Sequence, residues 1–221
     1  SALAPGLGDT HESFNYFNAD FLRWMLSDGA GAAVLSNTPA PDGLSLRIDW
    51  METYSFANEL ETCMYLGADN ASDILVENTW LYDATAAAAE EKGKLLVRQN
   101  VKLLGQHIVP IVVRAAGMLR DKSKLHAEQI DHFLPHLSSY FFEQQLHDQL
   151  ADAGLRLPLD KWFTNLRTKG NTGSASIYIM LDEAYREGRF KPGETVLLMI
   201  PESGRFSVSY CHLSAVAGKA V

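Results

Sequence analysis

Between Ile177 and Ala184 the apolar residues Ile177, Met180, Leu181 and Ala184 recur at i, i+3, i+4 and i+7, which is the repeat of one helix face. Gly188 follows and is suited to the left-handed conformation that ends a helix. Arg189 to Glu194, with Lys191-Pro192-Gly193 inside it, reads as a loop and turn. Thr195 to Ile200 is a continuous apolar run of strand length, the pattern of a strand buried on both faces. A glycine-bearing loop, Pro201-Glu202-Ser203-Gly204-Arg205-Phe206, then leads into a second strand.

Upstream, Lys92 to Leu119 reads as a helix with little room for a polar face, kinked or divided by Pro110. The charged run Arg120 to Lys124 stops it, and Ile130 to Pro135 reads as a strand that delivers His136 at its end. Leu44 to Tyr54 has the alternation of a strand, paired with the preceding segment through the Pro39 to Gly43 turn. That preceding segment, Ser27 to Leu35, sets small residues beside an apolar strand, and its glycines lack the spacing of a phosphate-binding loop. Ser1 to Asp20 has no clear period and reads as a surface loop or as the cut edge of something larger. Phe56 to Ala89 matches no single element and reads as an insertion.

Composition narrows the function classes. The chain has 221 residues, 47% of them hydrophobic, which is ordinary for a globular protein with a sizeable core. With 19 basic against 27 acidic residues and a formal charge of −8, it lacks the excess of Lys and Arg that nucleic-acid binding rests on. No apolar run approaches the ~18 residues of a membrane helix. Two cysteines, Cys63 and Cys211, make no disulfide framework, and a reduced cytoplasmic compartment is the expectation.

Few residues offer chemistry by type alone. His132 and His136 have a spacing that suits a metal on a helix, but on a strand they stand ~13 Å apart, and Pro135 argues against a helix. Cys63 is a candidate nucleophile that reads more simply as a structural cysteine, and Cys211 on the closing strand reads as packing. A histidine at a strand end is, by itself, most often a hydrogen-bonded structural residue.

The order of pieces from Thr168 to Phe206 resembles the C-terminal half of the type III β-ketoacyl-acyl-carrier-protein synthases of the thiolase-like superfamily. The family's Asn-Thr-Ser-Ala-Ala-Ser corresponds to Asn171 to Ser176, and its Glu-Ala-x-x-x-Gly-x-x-Lys-Pro-Gly to Glu183 through Gly193. Its apolar strand corresponds to Thr195 to Ile200 and its closing glycine loop to Gly204. Ser27 to Leu35 is similar to the family's Gly-Asp-Gly-Ala-Gly-Ala strand, near the end of the N-terminal half. The resemblance implies an α/β, thiolase-like layered α-β-α-β-α fold, with this chain covering the C-terminal half and the tail of the N-terminal half. Residues 1–54 would end the N-terminal half, 55–91 would be an insertion or connecting segment, and 92–221 the C-terminal half.

It also implies an acyltransferase activity, the Claisen condensation of acyl thioesters in fatty-acid or secondary-metabolite biosynthesis. His136 and Asn171 would polarise the thioester carbonyl of the second substrate, and the backbone N–H of Gly204 would join an oxyanion hole. The nucleophilic cysteine would lie outside this chain, in the missing N-terminal half. No cofactor is expected beyond the thioester carrier, coenzyme A or acyl carrier protein, and a homodimer is expected. A non-catalytic thiolase-like partner subunit, or an acyltransferase to an alcohol or amine acceptor, shares the same residues. Where the family has Gln-Ala-Asn after the histidine this chain has Leu137-Ser138-Ser139, and its closing loop is Ser203-Gly204-Arg205 rather than three glycines. These features stand closer to the subgroup that condenses acyl chains in secondary metabolism.

Overall fold

The computed structural model describes residues 19–68 and 78–218. A helix across residues 19–25 (α1) precedes strand Leu44–Ser55 (β1), and a small lobe follows with strand Met64–Tyr65 (β2), helix Ala86–Glu91 (α2) and strand Arg98–Gln99 (β3). The long helix Val101–Asp121 (α3) leads to strand His132–Pro135 (β4), then to helices Glu143–Asp152 (α4), Leu166–Lys169 (α5) and Ser176–Arg186 (α6). Strands Thr195–Glu202 (β5) and Ser207–Ala217 (β6) close the chain. Most of Ser1 to Asp20 lies outside the described residues, so the loop expected there is not addressed.

The apolar run of β5 is continuous because both of its faces are covered. Leu197 and Met199 pack with Ile108, Val112 and Ala115 of α3 and Leu146 of α4. Val196 and Leu198 pack on the opposite face with Ile177, Met180 and Ala184 of α6. Each such side chain contributes ~1.5–3 kcal/mol when fully buried, so the alternation along one strand binds three layers together. Tyr210 of β6 adds a polar tie, its buried hydroxyl donating to the Val112 carbonyl at 3.0 Å. The sheet order is β1-β6-β5-β4, with β4 parallel to β5 and the other pairs antiparallel.

The helix of Ile177 to Ala184, the stop at Gly188 (φ 68°), the turn through Gly193 (φ 91°) and the two closing strands form as the pattern indicates. Four expectations are corrected. Lys92 to Asn100 is not helical: Arg98 and Gln99 pair with β2, and the Asn100 side chain accepts the Leu103 N–H at 3.0 Å, capping α3 at Val101. Pro110 does not divide α3, which runs unbroken to Asp121. Lys102, Gln106, Pro110 and Arg114 are all exposed and follow one another at i+4, so the hydrogen bond that proline forgoes faces solvent.

The third correction concerns β1, which pairs antiparallel with β6 from Leu44↔Ala217 to Ser55↔Ser207 rather than with the segment before it. The fourth concerns that segment. Residues 26–36 form no strand; Val34 and Leu35 are 98% and 76% exposed. The small residues nevertheless serve close approach, because a Cβ on Gly31 would stand 2.3 Å from the Cβ of Tyr178 on α6. The insertion-like stretch from Phe56 holds β2, a short 3-10 turn at Trp80–Tyr82, and α2.

Candidate active site at the sheet edge

Three elements end at one edge of the sheet. Strands β4 and β5 are parallel, so their C-terminal ends point the same way. Helix α6 precedes β5 through a tight turn and packs beside β4, so its N-terminus lies at that same edge. Ligands of α/β folds gather at the carboxyl ends of parallel strands, where loops are free to vary.

His136 is the first residue past β4. Its backbone N–H donates to the Met199 carbonyl at 2.8 Å, which extends the strand register by one residue and fixes the Cα. The side chain is half-buried, and its ring has no hydrogen-bond partner among the described residues. Burial pushes its pKa below the ordinary histidine value, so the ring is neutral at neutral pH and offers one N–H and one lone pair. Beside it lies a cavity of about 30 Å³ walled by Ile108 and Val112 of α3, Leu146 of α4, and Met199 and Pro201 of β5. That space suits a water or a methyl group rather than an acyl chain.

Asn171 stands in the loop between α5 and α6. Gly170 takes φ 73° to end α5, and the Asn171 side-chain oxygen accepts the Gly173 N–H at 3.1 Å. That short-range bond fixes which end of the amide faces outward, leaving the NH₂ group as the free donor among the described residues. Thr172 and Ser176 brace the loop through their hydroxyls at 2.9 Å, and the Ser27 N–H donates to the Asn171 carbonyl at 2.8 Å.

Gly204 sits at the tip of the β5–β6 hairpin, whose last pair is Glu202↔Ser207. Its carbonyl accepts the Cys63 N–H at 2.9 Å, and its N–H donates to the Glu202 carboxylate. The left-handed residue of this turn is Phe206 (φ 56°), not the glycine. A Cβ on Gly204 would lie 2.5 Å from a Glu202 carboxylate oxygen, the movable end of that side chain, and 3.4 Å from the Met64 carbonyl oxygen. The lobe from Phe56 to Asn100 grips this loop: Gln99 donates to the Ser203 hydroxyl at 3.3 Å, and Arg205 donates to the Thr62 hydroxyl at 3.0 Å and the Ala57 carbonyl at 3.3 Å.

His132 faces the far end of β4, where its ring shares a 2.8 Å hydrogen bond with Glu194 and meets the edge of Phe190. Cys63 and Cys211 are buried, and desolvation pushes both thiols up to about 11. A thiol so raised is a poor nucleophile, because only the thiolate attacks. Sequence reasoning did not find the engagement of the Gly204 N–H. Its signal was the acidic residue two positions before the glycine, in a loop where a side chain reaches back to its own backbone.

Residues 120–204 match the family model described as 3-oxoacyl-[acyl-carrier-protein] synthase III C terminal. Over those residues the chain is similar to the C-terminal region of that synthase family. Among its relatives, the β-ketoacyl-[acyl-carrier-protein] synthase III of Clostridium kluyveri is 25% identical over 175 residues, which cover 79% of this chain and 47% of the relative. An acetoacetyl-CoA synthase of Streptomyces is 29% identical over 174 residues, with 79% and 47% covered. The chain thus spans about half the length of the synthase III relatives it matches. Among solved structures, a tetronic acid condensing enzyme aligns with TM-score 0.55 at 15% identity over 76% of this chain and 47% of that one. A synthase III from Aquifex aeolicus aligns with TM-score 0.53 at 21% identity, covering 76% and 44%. These likenesses place the chain in the thiolase-like α/β fold.

Proposed function

We propose that this chain forms the C-terminal half of a condensing enzyme that joins acyl thioesters by Claisen condensation. Support comes from strand direction, which sets a neutral, half-buried His136 and the Gly204 turn at the same end of the sheet, with the Asn171 amide oriented in the loop that leads into α6. The His136 ring N–H and the Asn171 NH₂ donate to the carbonyl oxygen of the second thioester. As that thioester loses carbon dioxide, or a proton in a non-decarboxylative reaction, negative charge moves onto this oxygen and the two donors hold the enolate. The enolate carbon attacks the acyl group carried on a cysteine outside this chain. A tetrahedral oxyanion forms against the Gly204 N–H, and its collapse expels the cysteine thiolate. Each donor aimed at developing charge is worth ~3–4 kcal/mol in such sites.

Coenzyme A or acyl carrier protein supplies the thioester, and the chemistry asks for no resident cofactor. Residues 1–54 end the N-terminal half, 55–91 are an insertion or connecting segment, and 92–221 are the C-terminal half. The assembly is a homodimer in the cytoplasm. No helix among the described residues is long and apolar enough to cross a membrane.

The test uses the protein that contains both this chain and the nucleophilic cysteine. Mass spectrometry follows the acyl-enzyme formed from an acyl thioester, and steady-state assays follow the condensation product. His136→Ala and Asn171→Ala keep acylation and lose turnover by ~10² or more. Normal turnover in both variants excludes the assignment, and loss of acylation in both indicates a structural role.

A further inference from the structure

The donor that the proposed mechanism needs at Gly204 is occupied by the protein itself. Both carboxylate oxygens of Glu202 fold back over the hairpin tip: one takes the Gly204 N–H, and the other takes the Arg205 N–H at 3.1 Å and the Ser207 hydroxyl at 3.2 Å. Two successive backbone N–H groups and a hydroxyl around one anion is the arrangement that would receive a substrate oxyanion. We propose that Glu202 is an internal stand-in for that oxyanion, a latch that a thioester carbonyl must displace before Gly204 donates to it. The proposal deepens the condensing-enzyme reading and rests on it.

The surroundings divide the loop into a fixed part and a movable part. The Gly204 peptide is fixed from its carbonyl side by the Cys63 N–H at 2.9 Å, while Arg205 is tied by its guanidinium to Thr62 and Ala57. Neither N–H is therefore free to turn away. The Glu202 side chain, in contrast, is exposed, and its described partners are those three loop groups alone. No cation among the described residues holds it: the Arg205 guanidinium points instead toward Thr62. A change of side-chain rotamer moves the carboxylate into water and opens both N–H groups, with the backbone unchanged. The lobe from Phe56 to Asn100, which grips the loop on its other side, keeps the donors in place once the latch is open.

The experiment uses the protein that contains both this chain and the nucleophilic cysteine, labelled for amide NMR, with acetonyl-CoA, a ketone analogue that has no acyl group to transfer. Replacing Glu202 by Gln keeps the shape and removes the charge, and charge-assisted hydrogen bonds are roughly twice as strong as neutral ones. The Gly204 and Arg205 amide protons are expected to move upfield in Glu202→Gln, and acetonyl-CoA to bind about tenfold tighter than to wild type, perturbing the same two amides. Ser207→Ala removes one tie of the carboxylate without touching the two N–H groups, and shifts affinity the same way by a smaller factor. Equal or weaker binding by both variants, with circular dichroism unchanged, overturns the latch while leaving the thioester site intact. Absence of binding to wild type and both variants overturns the latch together with the thioester reading. Unmoved Gly204 and Arg205 amides in Glu202→Gln overturn the contact on which the latch is built.

Discussion

The reading that the nucleophile lies elsewhere depends on Cys63 and Cys211 being protonated thiols, and this has a consequence for stability. Cys63 is fully buried with its thiol donating to the Asn100 carbonyl at 3.4 Å, and Cys211 is 7% exposed on the inner face of β6. Desolvation raises each from 9.0 to about 11. Above pH 9 the unfolded chain releases these protons while the folded chain keeps them. The folded state then binds more protons than the unfolded one, so stability falls as pH rises. With those two values, each cysteine removes about 2 kcal/mol between pH 8 and about pH 10.5. Buried Tyr210, whose phenol is also pushed up, acts in the same direction once unfolded tyrosines ionise.

The assay is urea unfolding followed by tryptophan fluorescence at both pH values, in wild type and in Cys63→Ser. Serine does not titrate in this range and keeps a donor for the Asn100 carbonyl. Wild type is expected to lose ~4 kcal/mol from its two cysteines, a large part of the ~5–15 kcal/mol typical of a domain, and Cys63→Ser ~2 kcal/mol less than wild type. Iodoacetamide at neutral pH should label Cys63 far more slowly than free cysteine. If the variant and wild type lose equal stability, the thiol is not held protonated, and Cys63, which lies against the Gly204 loop, becomes a nucleophile to be considered.

Three further outcomes are expected. Burial lowers the His136 pKa, so its contribution is present above the ordinary histidine pKa and lost as pH falls through the lowered one; His136→Gln should flatten the acid limb of a stability profile. Tyr210→Phe should cost about 1 kcal/mol in chemical denaturation, the net worth of its bond to Val112. Gly31→Ala should push residues 27–31 off Tyr178, seen as faster hydrogen exchange at the Ser27 amide bonded to Asn171, and Tyr178→Ala should restore protection.

The closing half of the chain was legible because each of its signals is local and the structure leaves them unopposed. The period at Ile177 to Ala184, the glycine at 188 and the unbroken apolar run from Thr195 all report burial by immediate neighbours. The errors lie where a distant segment decides. Helix-friendly residues from Lys92 were overruled by the pairing of Arg98 and Gln99 with β2 and by the Asn100 cap. Leu44 to Tyr54 was correctly a strand, but its partner is β6, more than 150 residues on, which no turn signal at Pro39 to Gly43 could announce.

At the candidate site the same division between local and distant signals holds. A histidine after a proline and an asparagine before a helix are weak signals individually, yet both mark the ends of elements whose direction the topology fixes. Parallel β4 and β5 set His136 and the Gly204 loop at the same end of the sheet, and Asn171 stands in the loop that leads into α6, the helix before β5. What neither motif nor topology conveys is the state of each donor. The Asn171 amide is oriented by a bond to Gly173 two residues away, the His136 ring is kept neutral by burial, and the Gly204 N–H is capped by a carboxylate two residues back. A chain with the same motif and a glycine in place of Glu202 would present an open Gly204 N–H from the start. The acid at that position therefore sets the resting state of the Gly204 N–H.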